Sequence, residues 1–289
     1  MANRQSLHAL HQGSRGSVSM SRILKPVVGT GALSVLALIA ACTPVKTPTP
    51  VATSAAPATT PTVDLQMAVV LPTAPKAGTP RYEADRGVFR ATRTLEGSPR
   101  WTLAQQDVDY ATPHLMAAFS CAMGVSLDAT RLTRLAALVD ETSRAAEAST
   151  GPAKQANQRQ RPFLLDPGAT CQSTMMLAHS YDYPSGHAAR GWAVGLVLAE
   201  LAPDRATDLL LRARAYGDSR VVCGVHNLSA IQAGSMNGAA VVATLHASPA
   251  FQQQLAEARA ELADYRRAVP SNAGAQCSAE RAMIEPTPY

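Results

Sequence analysis

Three groups of residues have types and spacings that could do chemistry. Lys154 stands seven positions ahead of Arg161-Pro162; Pro184-Ser185-Gly186-His187 opens an apolar run; and Ser219-Arg220 is followed by His226 within Asp218-Ser219-Arg220-Val221-Val222-Cys223-Gly224-Val225-His226. Each alone has an ordinary explanation. A Lys and an Arg at this spacing fit a solvated helix face, Ser185 fits a helix N-cap, and a lone His fits a packed side chain. Together they supply what phosphoryl transfer needs. Its transition state spreads negative charge over three equatorial oxygens, so catalysis rests on positioned cations and donors. Arg161 and Arg220 offer planar forks and Lys154 a point charge. Ser185 and the Gly186 amide would sit at a helix N-terminus, where free N–H groups favour an anion. Two histidines remain, one to attack phosphorus and one to protonate the leaving oxygen.

These residues need helices to place them. Leu132, Leu135, Leu138 and Val139 recur at helical spacing, with Arg131, Arg134 and Asp140 off the stripe. A second helix is predicted from Ser185 to a stop at Pro203, and the lack of charge between Arg190 and Glu200 marks it as buried on most sides. A third runs from Asp204 to about Tyr216. A fourth, from about Leu228 to Leu245, carries Ala230, Gly234 and Gly238 on one face, where another backbone can approach closely. Pro249 opens a last amphipathic helix with Phe251, Leu255, Leu262 and Tyr265. There is no convincing alternating strand and no internal repeat. With aromatics at 4% and alanine abundant, the expected fold class is all-α, a single helical bundle.

The N-terminal part reads as an export signal. Arg22 and Lys25 precede an apolar run from Val27 to Ile39, too short for a comfortable membrane span, and Ile39-Ala40-Ala41-Cys42 follows. This stretch resembles a bacterial lipobox, which makes Cys42 the lipidation candidate; Met20 is an alternative start. Residues 1–42 are therefore expected to be a signal peptide, 43–80 a tether rich in Pro, Thr and Ala, and 81–289 the folded domain. The alternative is a plain secretory signal in which Cys42 is incidental. The chain of 289 residues carries 26 Lys and Arg against 21 Asp and Glu. Four of those bases (Arg4, Arg15, Arg22, Lys25) precede Cys42 and no acid does, so a processed chain has 26 − 4 = 22 bases against 21 acids, a net charge of +1. A nucleic-acid partner loses its electrostatic basis. Cys121, Cys171, Cys223 and Cys277 remain, with three connectivities open and no spacing that suggests zinc.

The order Lys-x6-Arg-Pro, Pro-Ser-Gly-His, Ser-Arg-x5-His resembles the signature of the type 2 phosphatidic acid phosphatase superfamily. Within it the chain is most similar to bacterial class A non-specific acid phosphatases. Gly97-Ser98-Pro99-Arg100-Trp101, Gly191-Trp192-Ala193 and the stretch from Ala243 to Gln254 support the narrower likeness, which spans about Arg81 to Arg266. The resemblance implies an all-α domain that hydrolyses small phosphomonoesters without metal or other cofactor. It implies that Lys154, Arg161, Ser185, Gly186 and Arg220 bind phosphate, that His226 is the nucleophile forming a phosphohistidine, and that His187 is the general acid and then base. It further implies a Cys171–Cys223 pair, leaving Cys121 with Cys277. The expected location is a periplasm-facing membrane lipoprotein, delivered to the outer membrane because Thr43 replaces the Asp of inner-membrane retention; the other course is secretion to the periplasm. A homo-oligomer is left open. One departure stands out. The family's His-x3-Asp ends here in Ala230, so His226 needs another orienting acceptor, such as Asn227, Ser229, a backbone carbonyl or a water. Without one, the chain would be a slow enzyme or an inactive phosphate-binding lipoprotein. A vanadium haloperoxidase shares the same cradle and is the remaining alternative.

Overall fold

Hydroxyl residues followed by proline start several helices. Thr79, Ser98 and Ser248 each accept a hydrogen bond from the amide three residues on, and Pro80, Pro99 and Pro249 occupy the first helical turn. The computed structural model describes residues 65–289 apart from Ala273. Its α-helices are α1 (Met67–Val70), α2 (Pro80–Thr92), α3 (Pro99–Gln106), α4 (Thr112–Ala118), α5 (Ser120–Met123), α6 (Thr133–Ala148), α7 (Thr150–Asn157), α8 (Gly186–Leu201), α9 (Ala206–Val222), α10 (Leu228–Leu245), α11 (Pro249–Ala268) and α12 (Ala275–Ile284). There is no strand among the described residues, so the fold is all-α as expected. No helix among them is long and apolar enough to cross a membrane.

Helix α8, uncharged between Arg190 and Glu200, is the central rod, packed by α6, α9 and α10. Ala188, Ala189, Ala193, Val194, Val197 and Leu198 are all buried along it. The stripe on α6 faces it, with Leu135, Leu138, Val139 and Ala146 fully buried, while α11 covers α6 through Phe251, Leu255, Ala258 and Leu262. The small-residue face of α10 does what its spacing predicts. A Cβ on Gly234 would collide with the Ser185 carbonyl oxygen, and one on Gly238 with that of Ala189, so α10 lies backbone against backbone on the first turns of α8.

Two boundaries differ from the expected ones. Helix α9 does not end near Tyr216 but continues to Val222. Gly217-Asp218-Ser219 reads as a helix end, yet Gly217 lies against Ala188, Asp218 and Ser219 are buried, and the Ser219 hydroxyl donates to Asp107 Oδ2 at 2.6 Å. Burial overrides local propensity there. Residues 65–80 belong to the segment read as tether, but Met67 and Leu71 are buried against Ala153, Tyr183, Ala230 and Ala233. Tyr183 donates its hydroxyl proton to the Pro72 carbonyl at 2.7 Å, and the Ala74 amide donates to Asn157 at 2.6 Å. The apolar residues of this stretch are too few to show a period, which is why their packing leaves no sequence signal. The cysteines pair as Cys171–Cys223 and Cys121–Cys277, the latter tying α12 to α5. Cys42 and the rest of the export segment lie outside the described residues.

Candidate active site

The third motif is a helix end turned back on itself. Helix α9 stops at Val222, Gly224 takes a φ of 74° that other residues adopt only with strain, and the amides of Val225 and His226 both donate to the Arg220 carbonyl, at 3.1 and 3.2 Å. Arg93 caps the open end, donating through Nη2 to the Val221 and Val222 carbonyls at 2.8 and 2.7 Å. The Cys171–Cys223 bridge and the Cys171 amide on the Cys223 carbonyl, 3.1 Å, fix the same turn from outside. This turn places His226 beside Arg220.

Lys154 and Arg161 are not on a solvated face. Lys154 lies in the last turn of α7, where it is half-buried, and Arg161 is buried in the extended chain that follows. Lys154 Nζ donates to the Tyr181 carbonyl at 3.0 Å, and Arg161 Nε to that of Ser180 at 2.9 Å. Arg161 Nη1 reaches both the Val225 carbonyl, 2.8 Å, and His226 Nε2, 3.0 Å. A guanidinium only donates, so Nε2 is the bare nitrogen of that imidazole and Nδ1 carries the proton. Arg220 is 1% exposed. Its Nη2 donates to Gln172 Oε1 at 2.5 Å, while Nε and Nη1 have no partner among the described residues. Burial brings the Arg220 guanidinium down to about 10, and burial together with Arg161 brings the Lys154 ammonium down to about 8. Three cations thus converge where only an anion would relieve them.

The Pro-Ser-Gly-His motif starts α8. Ser185 Oγ accepts from the Ala188 amide at 3.3 Å, which leaves its own proton free to donate, and the Ser185 amide is held by the Ala230 carbonyl at 2.9 Å. His187, on the first turn, bonds through Nε2 to the Val108 carbonyl at 3.0 Å. A carbonyl only accepts, so Nε2 holds a proton and Nδ1 is the nitrogen free to exchange one. Burial, then the neighbouring Arg220, pushes His187 well below its ordinary value, and burial with Arg161 and Lys154 does the same to His226. The Tyr110 ring meets that of His187 edge-on at 5.1 Å.

All seven expected site residues therefore sit on one group of elements, the α7 end, the α8 start and the α9–α10 turn. Several partners are ones the motifs do not name. Asp182 is the main one: its Oδ1 lies 2.9 Å from His226 Nδ1 and accepts from the Asn227 amide at 3.1 Å. Its Oδ2 accepts from Asn227 Nδ2 at 2.9 Å and lies 2.9 Å from Arg159 Nε. Arg159 is held in turn by Asp85 Oδ2 and Ser229 Oγ, at 2.9 and 2.8 Å. Asn227 and Ser229 touch this network, but neither takes the imidazole proton. The only sequence hint of Asp182 is an acidic residue two places before Pro184. On the other side, Asp107 pairs with Arg212 and Ser219 and so fixes the chain at Val108. Among the described residues no cluster of three or more His, Cys, Asp and Glu is placed to hold a metal ion.

A model of the PAP2 superfamily matches residues 141–253, a stretch that contains all seven. The chain belongs to that superfamily. Over 209 residues, 72% of this chain and 79% of the relative, it is 37% identical to an acid phosphatase of Zymomonas mobilis subsp. mobilis. It is 35% identical over 203 residues to a non-specific acid phosphatase of Providencia stuartii, covering 68% and 81% of the two chains. A non-specific acid phosphatase of Salmonella typhimurium is 34% identical over 197 residues, covering 67% and 79%. Within the superfamily this chain is one of the acid phosphatases, which are phosphoric monoester hydrolases.

Proposed function

We propose that this acid phosphatase hydrolyses small phosphomonoesters through a phosphohistidine on His226, with no metal required. The observation that carries the reading is His226 itself: a bare Nε2 beside Arg161, in a pocket where Arg220 has two unpartnered N–H groups. Lys154, Arg161 and Arg220 hold the phosphoryl oxygens, helped by the Ser185 hydroxyl and the Gly186 amide. Nε2 attacks phosphorus, the N–P bond forms as the P–O bond to the leaving group breaks, and His187 Nδ1 gives its proton to the departing oxygen. Burial, then the neighbouring Arg220, keeps His187 neutral in the free protein; a bound phosphate dianion offsets the Arg220 repulsion and favours the charged acid when substrate is present. In the second half His187 Nδ1 takes a proton from water, the water oxygen attacks phosphorus, and the N–P bond breaks to release inorganic phosphate. Relatives named as acid phosphatases favour hydrolysis over the haloperoxidase alternative.

The test is turnover of p-nitrophenyl phosphate with EDTA present, together with acid-quenched trapping of the intermediate. The His226 peptide should gain one phosphoryl group by mass, and His226→Ala should show neither label nor turnover. A label on another residue would overturn the assignment. The sequence supports a lipid-anchored, periplasm-facing protein, and Cys42→Ser should move the activity from the membrane fraction to the soluble periplasmic fraction.

A further inference from the structure

We infer that Asp182, from the loop ahead of the Pro-Ser-Gly-His motif, is the positioning residue that replaces the family's carboxylate at position 230, holding the His226 imidazole with its proton on Nδ1 and Nε2 bare. The inference rests on His226 being the nucleophile, as proposed above.

The geometry supports it from both sides. On the imidazole, Arg161 can only donate to Nε2 and the Asp182 carboxylate only accept from Nδ1, so the two contacts, 3.0 and 2.9 Å, select the same tautomer. On the carboxylate, both oxygens are engaged. Oδ1 faces the imidazole and the Asn227 amide, and Oδ2 faces Asn227 Nδ2 and Arg159 Nε. Three hydrogen bonds and the ion pair with Arg159 leave the carboxylate little freedom to turn. Its backbone is pinned as well, since the Asp182 amide donates to the Arg159 carbonyl at 2.8 Å. Arg159 in turn is fixed by Asp85 and by Ser229, whose amide donates to Asp85 Oδ1 at 2.8 Å. The frame therefore runs from α2 through the loop after α7 to the N-terminus of α10.

Position 230, by contrast, has no use for a carboxylate. Ala230 is fully buried with Met67, Leu71, Ala153, Tyr183 and Ala233. A charge there would lie in apolar surroundings and close to a carboxylate that already occupies Nδ1. The substitution that looks like the loss of a catalytic group is one half of an exchange: the acid has moved to the loop, and the helix has taken an apolar residue to pack residues 67 and 71. When Nε2 bonds to phosphorus the ring becomes a cation, and Asp182 is the anion 2.9 Å from its remaining N–H.

The experiment has two arms. In the intact wild-type protein, 15N-resolved NMR of His226 should show the Nδ1–H tautomer; an Nε2–H tautomer would overturn the inference without any variant having to fold. In the second arm Asp182→Asn should lower kcat on the order of 10²–10⁴-fold with KM and inhibition by inorganic phosphate changed less than about threefold, and should shift His226 away from the Nδ1–H tautomer. Ala230→Asp in the wild-type background should give no gain in kcat. An Asp182→Asn enzyme with unaltered kcat, or a tenfold gain from Ala230→Asp, would overturn it. Failure of the underlying reading shows differently: His226→Ala would stay active while the tautomer measurement still reports on Asp182.

Discussion

Replacing Arg220 by methionine should make the protein more stable and less active, and the two effects should cross when phosphate is added. Arg220 buries a guanidinium with Nε and Nη1 unpartnered. Each such group costs about 1–3 kcal/mol, so removing both returns about 2–6 kcal/mol. Against this stand the charge-assisted bond to Gln172, worth about 1.5–3 kcal/mol, and imperfect packing of the new side chain. Gln172 is only half-buried, so its freed oxygen can be rehydrated. The net gain for Arg220→Met is about 1–3 kcal/mol, which in a domain of this size raises Tm by roughly 2–12 °C. Inorganic phosphate at a hundred times its Kd should stabilise the wild type by about 2.7 kcal/mol and the variant far less, because the anion's main unpartnered donors are gone. Thermal melts with and without phosphate, run beside turnover assays, read all of this. A variant that melts below the wild type in phosphate-free buffer and keeps the full phosphate shift would refute the idea that Arg220 is a destabilised cation held ready for an anion.

Lys154, brought down to about 8 by burial and Arg161, is charged in the free enzyme below that pH and neutral above it, so kcat/KM should fall as pH rises through about 8; Lys154→Met should raise KM about 10–100-fold and flatten that limb in a pH–rate profile. His187 and His226 are both held well below the ordinary 6.5. Below pH 6.5 the unfolded chain therefore binds more protons than the folded one, and the stability present above that pH is lost as pH falls towards the folded values. Urea melts from pH 7 to 4 should show the decline, and added phosphate should reduce it; a flat profile would contradict the burial of two neutral imidazoles. The Cys121–Cys277 bridge closes a separation of 156 residues, so Cys121→Ser with Cys277→Ser should cost about 3–5 kcal/mol by loop-closure entropy, measured by urea unfolding under oxidising conditions.

The helices that carry the site were legible where one pattern ruled a whole segment: the Leu135, Leu138, Val139 stripe, the apolar run between Arg190 and Glu200 and the small-residue face of α10 all mean in the fold what their spacing implies. So was the grouping of the seven motif residues, because each motif is short and its order along the chain is kept. The orienting acid was not. Asp182 lies 44 positions from His226, and nothing local ties an acid in a Tyr-Asp-Tyr-Pro loop to an imidazole on a different turn. The same holds for Arg159, Asp85 and Arg93, whose partners come from elements far apart in sequence. A departure at Ala230 was readable as a missing group, but its replacement exists only in three dimensions. The reach of α9 through Gly217-Asp218-Ser219 was missed for a related reason, since Ser219 is also held by Asp107 and Arg100 and Asp218 by Tyr289, all from outside that helix.

The main-chain contact of Gly234 and Gly238 with the start of α8 bears on how such an enzyme could acquire new preferences. It joins the turn at Ser185 and the segment after His226 into one stiff unit, with no flexible side chain between them to yield. Substitutions inside that unit would disturb the phosphoryl group for every ester alike. On the proposed reading, what an ester carries beyond its phosphate would extend towards the surface, where the half-exposed Tyr110 ring stands beside His187. Selection for a different alcohol would therefore act on residues such as Tyr110, and could act on them repeatedly while the chemistry beneath stays as it is.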